Sequence, residues 1–115
     1  ALMEARHVAP SKAEAVSVLT AALDVQKASI LLRHEIAYVL GQIGDRSAAS
    51  ILRALAADTT EDAVVRHEAA EAIAAICATD AMEDLESYTT AESPPLLRDT
   101  CILAVTRLKE LNETS

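Results

Sequence analysis

The sequence predicts an all-α protein, a short solenoid of stacked helical hairpins. Three observations carry this: one pattern returns three times, its apolar residues recur at helical spacing, and the turn residues of an all-β fold are scarce. Segments starting at Leu31, Val64 and Leu96 align from their first residue, 33 and 32 residues apart. Each opens with two aliphatic residues and an arginine: Arg33, Arg66 and Arg98. Self-similarity at a fixed period of this length is the mark of a repeat architecture.

Within each repeat the spacing is that of one helix face. Leu32, Ile36, Val39, Leu40 and Ile43 form the first stripe, Val65, Ala69, Ala72, Ile73 and Ile76 the second, and Leu97, Cys101, Ala104, Val105 and Leu108 the third, at identical offsets. A shorter helix follows in each complete repeat. After the Gly44-Asp45 turn, Ala48, Ile51, Leu52 and Leu55 make a further stripe that ends in the loop 58–62. Met82 and Leu85 follow the Thr79-Asp80 turn, where Asp80 is expected as N-cap. The step through Ser93-Pro94-Pro95 interrupts helix before the third repeat.

Upstream, residues 13–23 read as the second helix of an earlier repeat, and residues up to Pro10 as loose. Gly41 and Gly44 are expected to end a helix rather than cradle a phosphate, because no Gly-rich phosphate pattern surrounds them. The organisation expected is one domain over 1–115: a partial repeat at 12–30, repeats at 31–63 and 64–95, and a last partial repeat at 96–115. A hairpin of this length cannot bury its stripes alone, so neighbours must stack. The ankyrin Thr-Pro-Leu-His opening and the large aromatics of tetratricopeptide repeats are both absent, which leaves the short HEAT-like class.

Composition narrows the function. Half the residues are apolar (51%), yet Phe and Trp are absent and the only aromatics are Tyr38 and Tyr88. Ala, Leu, Ile and Val must fill the core, which suits close helix packing. A net charge of −8 and a pI near 4.7 exclude a nucleic-acid binder, which needs a basic surface and, for single strands, stacking aromatics. Acidity favours basic partners; plain solubilisation is the other reading. No apolar run reaches the roughly 20 residues of a membrane span. Residues 1–10 lack a secretory signal's apolar segment and an initiator Met, so the chain is expected to be cytoplasmic and possible as a fragment. Cys77 and Cys101 sit in apolar helical contexts and are expected as buried, reduced thiols.

Two repeats carry something a plain solenoid does not need: His34-Glu35 and His67-Glu68, 33 residues apart and off the core stripe. A histidine and a carboxylate thereby occupy equivalent places on adjacent, roughly parallel helices. Neighbouring helix axes lie about 8–10 Å apart, so one imidazole from each can reach a shared ion. Two histidines with a carboxylate and open positions suit non-haem Fe(II) oxygen chemistry. Surface polarity at the start of a solvated helix is the competing reading. The third repeat acts as a control, since Asp99 and Thr100 replace the pair there and so no structural need for His-Glu persists. Glu71 and Tyr38, one turn on, are candidates to orient ligands or line a groove; His7 reads as a surface residue.

The runs Leu32-Arg33-His34-Glu35-Ile36-Ala37-Tyr38-Val39-Leu40-Gly41-Gln42 and Val65-Arg66-His67-Glu68-Ala69-Ala70-Glu71-Ala72-Ile73 resemble the paired motifs of the deoxyhypusine hydroxylase family. The resemblance extends over about residues 31–111 and includes Asp99-Thr100-Cys101 and Ala104-Val105. It implies a HEAT-like non-haem di-iron monooxygenase that hydroxylates the deoxyhypusine side chain of a translation factor, a basic protein substrate. The family has two similar halves, each with two His-Glu motifs and the iron pair between them. The resemblance thus implies His34, Glu35, His67 and Glu68 as metal-site residues for Fe(II). A di-iron site would form only with a second half or a homodimer partner. This chain has one half's motifs, closer to the N-terminal half. Two other functions stay open: a non-catalytic HEAT-like scaffold whose acidic groove binds a basic protein, and a bilin-lyase-like repeat protein. A zinc hydrolase is disfavoured by the absence of HExxH or another three-ligand set. The far-ultraviolet circular dichroism spectrum is expected to be that of a helical protein; a sheet spectrum would contradict the triple stripe.

Overall fold

Helices form where the stripes place them in the computed structural model, which describes residues 11–23, 29–76 and 79–114. They are α1 (Lys12–Leu23), α2 (Ile30–Ile43), α3 (Ala49–Ala57), α4 (Ala63–Ala75), α5 (Met82–Ser87) and α6 (Pro95–Thr114), with 3-10 turns at Arg46–Ala48 and Thr79–Ala81. No strand occurs among the described residues. The sequence supplies the starts. Ser29 Oγ accepts the Leu32 amide at 3.0 Å, Asp62 Oδ1 accepts the Val64 amide at 2.8 Å, and Pro95 opens α6 with its φ already helical. Gly44, at φ 73°, ends α2 in a left-handed cap whose amide donates to Leu40 O at 3.3 Å.

Helices α2, α4 and α6 lie side by side, with α4 in the middle, while α3 packs on α4 and α5 on α6. This is a row of helical hairpins, as the repeats predict. The central position of α4 shows in its burial: Val65, Ala69 and Ile73 are fully enclosed, and so are Leu97, Cys101 and Leu108 of α6. The first stripe behaves differently. Ile36 and Leu40 are buried, but Leu32 is 45% and Val39 36% exposed, because α2 has α4 on one side and only α1 on the other among the described helices.

Two further expectations are corrected. Asp80 does not cap the following helix: it lies inside the turn Thr79–Ala81, and its Oδ1 accepts from Arg46 Nη2 at 3.2 Å. Gly41 does not end a helix. It lies within α2 at the crossing with α4, where a Cβ would meet Ala72 Cβ at 2.9 Å and its Cα at 3.0 Å. Here glycine is a packing residue, admitting a close backbone approach that any side chain would block. The expectations for His7, Cys77 and residues 1–10 lie outside the described residues.

Two of the repeated arginines tie down the loop between α3 and α4. Arg33 grips Glu61 through two parallel contacts, Nη2 to Oε1 at 2.8 Å and Nε to Oε2 at 3.0 Å. Glu61 in turn accepts the Asp62 amide at 2.9 Å, so the loop that launches α4 is tied to α2. Arg66 is buried and donates from Nε to Ala56 O at 2.9 Å, satisfying a carbonyl at the end of α3. Its guanidinium also lies over the Tyr88 ring, 5.7 Å from the centroid. Arg53 Nε to Asp84 Oδ2 at 2.7 Å links the second helices of successive hairpins, a half-exposed pair of small energetic weight.

Two outcomes are expected. Gly41→Val should destabilise the chain by about 1–3 kcal/mol through overpacking against Ala72, which thermal unfolding would register as a lowered midpoint. An unchanged midpoint would mean α2 and α4 separate freely. Burial pushes the Cys101 thiol up to about 11, so the nucleophilic thiolate is scarce at neutral pH. In a Cys77→Ser chain, iodoacetamide should label Cys101 only as denaturant unfolds the protein; rapid labelling of the native state would contradict its enclosure.

Candidate metal centre

The close contact at Gly41 and Ala72 brings the outward-facing turns of α2 and α4 together. Glu68 fills the space between two imidazoles: its Oε1 lies 3.3 Å from His34 Nε2 and 3.5 Å from His67 Nε2. His67 Nε2 is also 3.7 Å from Glu71 Oε1, one turn further along α4. One donor atom each from His67, Glu68 and Glu71 falls within a 4.8 Å cluster. The side chains grade from shielded to open: Glu68 11%, His67 17% and His34 27% exposed, against 54% for Glu71 and 57% for Glu35.

This donor set fits a divalent transition-metal ion. Two ligand atoms each about 2.1 Å from one ion lie about 3.0–3.4 Å apart when the angle at the ion is between square and tetrahedral. The contact of Glu68 Oε1 with His34 Nε2, 3.3 Å, is of that size, and the one with His67 Nε2, 3.5 Å, lies just outside it. Imidazole nitrogen with carboxylate oxygen is a mixed set suited to iron or zinc rather than to calcium. His34 adds a further sign. Its Nδ1 is buried and has no hydrogen-bond partner among the described residues; Glu35 Oε1 approaches it at 3.5 Å without the alignment a hydrogen bond needs. A buried polar atom left so is costly unless something fixes the ring.

The four residues singled out from sequence are therefore not equivalent in space. His34, His67 and Glu68 converge, whereas Glu35 stays on the outer side of α2, beside His34. Glu71 joins the cluster more closely than its expected orienting role required, and Tyr38 stays half exposed. With Glu68, Glu71 and Gly41, Tyr38 lines a cavity of about 100 Å³ between α2 and α4. Sequence reasoning missed Thr100. This α6 residue is only 8% exposed, and its Oγ1 is hydrogen-bonded to His67 Nδ1 at 2.5 Å. The signal was available in the alignment: Thr100 occupies the register position of Glu35 and Glu68, the place from which Glu68 reaches back to the histidine of the preceding repeat.

Comparison with known proteins agrees with this architecture. The HEAT-repeat family pattern matches residues 16–106. Deoxyhypusine hydroxylase of Kluyveromyces lactis is 44% identical over 81 residues, covering 70% of this chain and 25% of that protein. The Danio rerio deoxyhypusine hydroxylase is 48% identical over 84 residues, 72% of this chain and 27% of that protein. The solved structure of human deoxyhypusine hydroxylase in complex with glycerol superposes with a TM-score of 0.79 at 36% identity, covering 93% of this chain and 35% of that one. The chain thus spans about a quarter to a third of the relatives it matches. It belongs to the HEAT-repeat family and is homologous to one part of the deoxyhypusine hydroxylases.

Proposed function

We propose that this chain supplies one half of a non-haem di-iron centre in a deoxyhypusine-hydroxylase-like monooxygenase. His34, His67 and Glu68 are its metal donors, with Glu35 beside His34 and Glu71 at the edge as further carboxylates of the site. The observation that carries the reading is the placement of Glu68 Oε1 within 3.5 Å of imidazoles from two different helices. A scaffold surface has no need of that arrangement, with a carboxylate shielded between two rings.

In this reading His34, His67 and Glu68 are the Fe(II) donors, held by α2 and α4 rather than by loops. Bound there, iron would supply the activation of molecular oxygen that hydroxylation requires. The residues of the chain do the rest. Glu35 and Glu71, both more than half exposed, present negative charge to a cationic, lysine-derived side chain entering from a basic protein, the translation factor. The net charge of −8 favours that encounter. The ligands of a second iron come from a second half or from a second copy of this chain, paired about a two-fold axis. The expected compartment is the cytoplasm.

Acidic groups facing one another across such a pairing repel until a cation is bound. The metal-free chain is therefore expected to be monomeric or loosely associated and inactive on a deoxyhypusine-bearing substrate. Fe(II) added without oxygen should raise the dimer fraction in sedimentation and approach one iron per chain. His34→Ala or His67→Ala should abolish both effects. Two irons on a persistent monomer, or iron-driven dimerisation unaffected by His67→Ala, would overturn the proposal.

A further inference from the structure

Resting on His67 as a metal ligand, we infer that Thr100 is a positioning residue that selects the imidazole tautomer of His67 able to bind metal. The contact itself is the basis. Thr100, itself more than nine-tenths buried, brings Oγ1 to His67 Nδ1 across the α4–α6 interface, while Nε2 of the same ring faces Glu68 and Glu71.

A neutral imidazole carries one proton. If Nδ1 holds it, Nε2 offers a lone pair to an ion; if Nε2 holds it, that nitrogen can only donate to the carboxylates beside it. A hydroxyl both donates and accepts, so the choice depends on where the Thr100 proton goes. With an oxygen lone pair turned to the ring, Thr100 accepts from Nδ1–H, and Nε2 is left free for the ion. Groups that hold the far nitrogen of a metal-binding histidine in this way affect metal affinity without touching the metal.

The repeat explains why a threonine stands here. In the second repeat this register position is Glu68, a carboxylate reaching back to His34. The third repeat keeps the reach to the preceding histidine and exchanges the charge for a neutral hydroxyl. A carboxylate at 100 would add a further anion to a cluster that already holds Glu68 and Glu71.

Two variants and two readouts test this on the full chain. Thr100→Val keeps the shape and removes the hydroxyl; Thr100→Ser keeps the hydroxyl. Long-range proton–nitrogen correlation spectra of the metal-free protein, recorded at about pH 8.5 where imidazole is neutral and assigned with His67→Gln, report the tautomer directly. The expected result is Nδ1–H in the parent chain and in Thr100→Ser, shifting towards Nε2–H in Thr100→Val. Co(II), an oxygen-stable probe followed by visible absorption, should bind about 10–100-fold more weakly to Thr100→Val and near normally to Thr100→Ser. Nε2–H in the parent chain, or tautomer and Co(II) affinity both unchanged in Thr100→Val, would overturn the inference. Should Thr100→Val not fold, the parent and Thr100→Ser spectra still decide it. A parent chain that binds no Co(II), with or without the expected tautomer, counts instead against the metal-site reading on which this rests.

Discussion

Contact between Gly41 of α2 and Ala72 of α4 sets the separation of the two helices that carry histidine. A side chain at 41 would stand 2.9 Å from Ala72 Cβ, so the helices touch only because glycine is there. That approach lets Glu68 reach His34 while also flanking His67 of its own helix. Widen the gap by the thickness of a methyl group and one carboxylate no longer spans both imidazoles. Packing and chemistry are therefore coupled through a position that bears no functional group.

The arginines hold the same geometry from the other end. Arg33 fixes the loop before α4 through Glu61, and Arg66 fixes the end of α3 through Ala56 O. Arg66 is charged and buried, which would be costly were it not given a carbonyl and the face of Tyr88. With the loop before α4 tied to α2 and the end of α3 tied to Arg66, the start of α4 has little freedom, and His67 and Glu68 lie within its first two turns. Rigid elements hold donor groups more closely in place than loops can.

Electrostatics then separates the roles of similar residues. Glu68 is shielded between rings, while Glu35 and Glu71 remain open to solvent. At α6, Thr100 continues the contact to the preceding histidine without continuing the charge.

By itself the sequence determined the helical class, the hairpin order and the in-register histidines, because these rest on local periodicity and on repetition along the chain. It also placed Ile36, Leu40, Val65, Ala69, Ile73, Leu97 and Leu108 in the core correctly. What it could not show depends on which neighbour a residue meets. Leu32 and Val39 share the stripe yet are exposed, since among the described residues the side of α2 away from α4 has only α1 packed on it. Asp80 looked like a cap and became a partner of Arg46 on the preceding hairpin. Gly41 looked like a helix end and proved to be a crossing point. The pairs His34-Glu35 and His67-Glu68 read alike in one dimension, but Glu68 has a preceding helix to reach and Glu35 has no described histidine helix before it. Thr100 was visible as a departure from the pattern, and only the packing of α6 on α4 turned that departure into a hydrogen bond to His67. Local periodicity decides what each helix is, and the distance between helices decides which of its residues can act together.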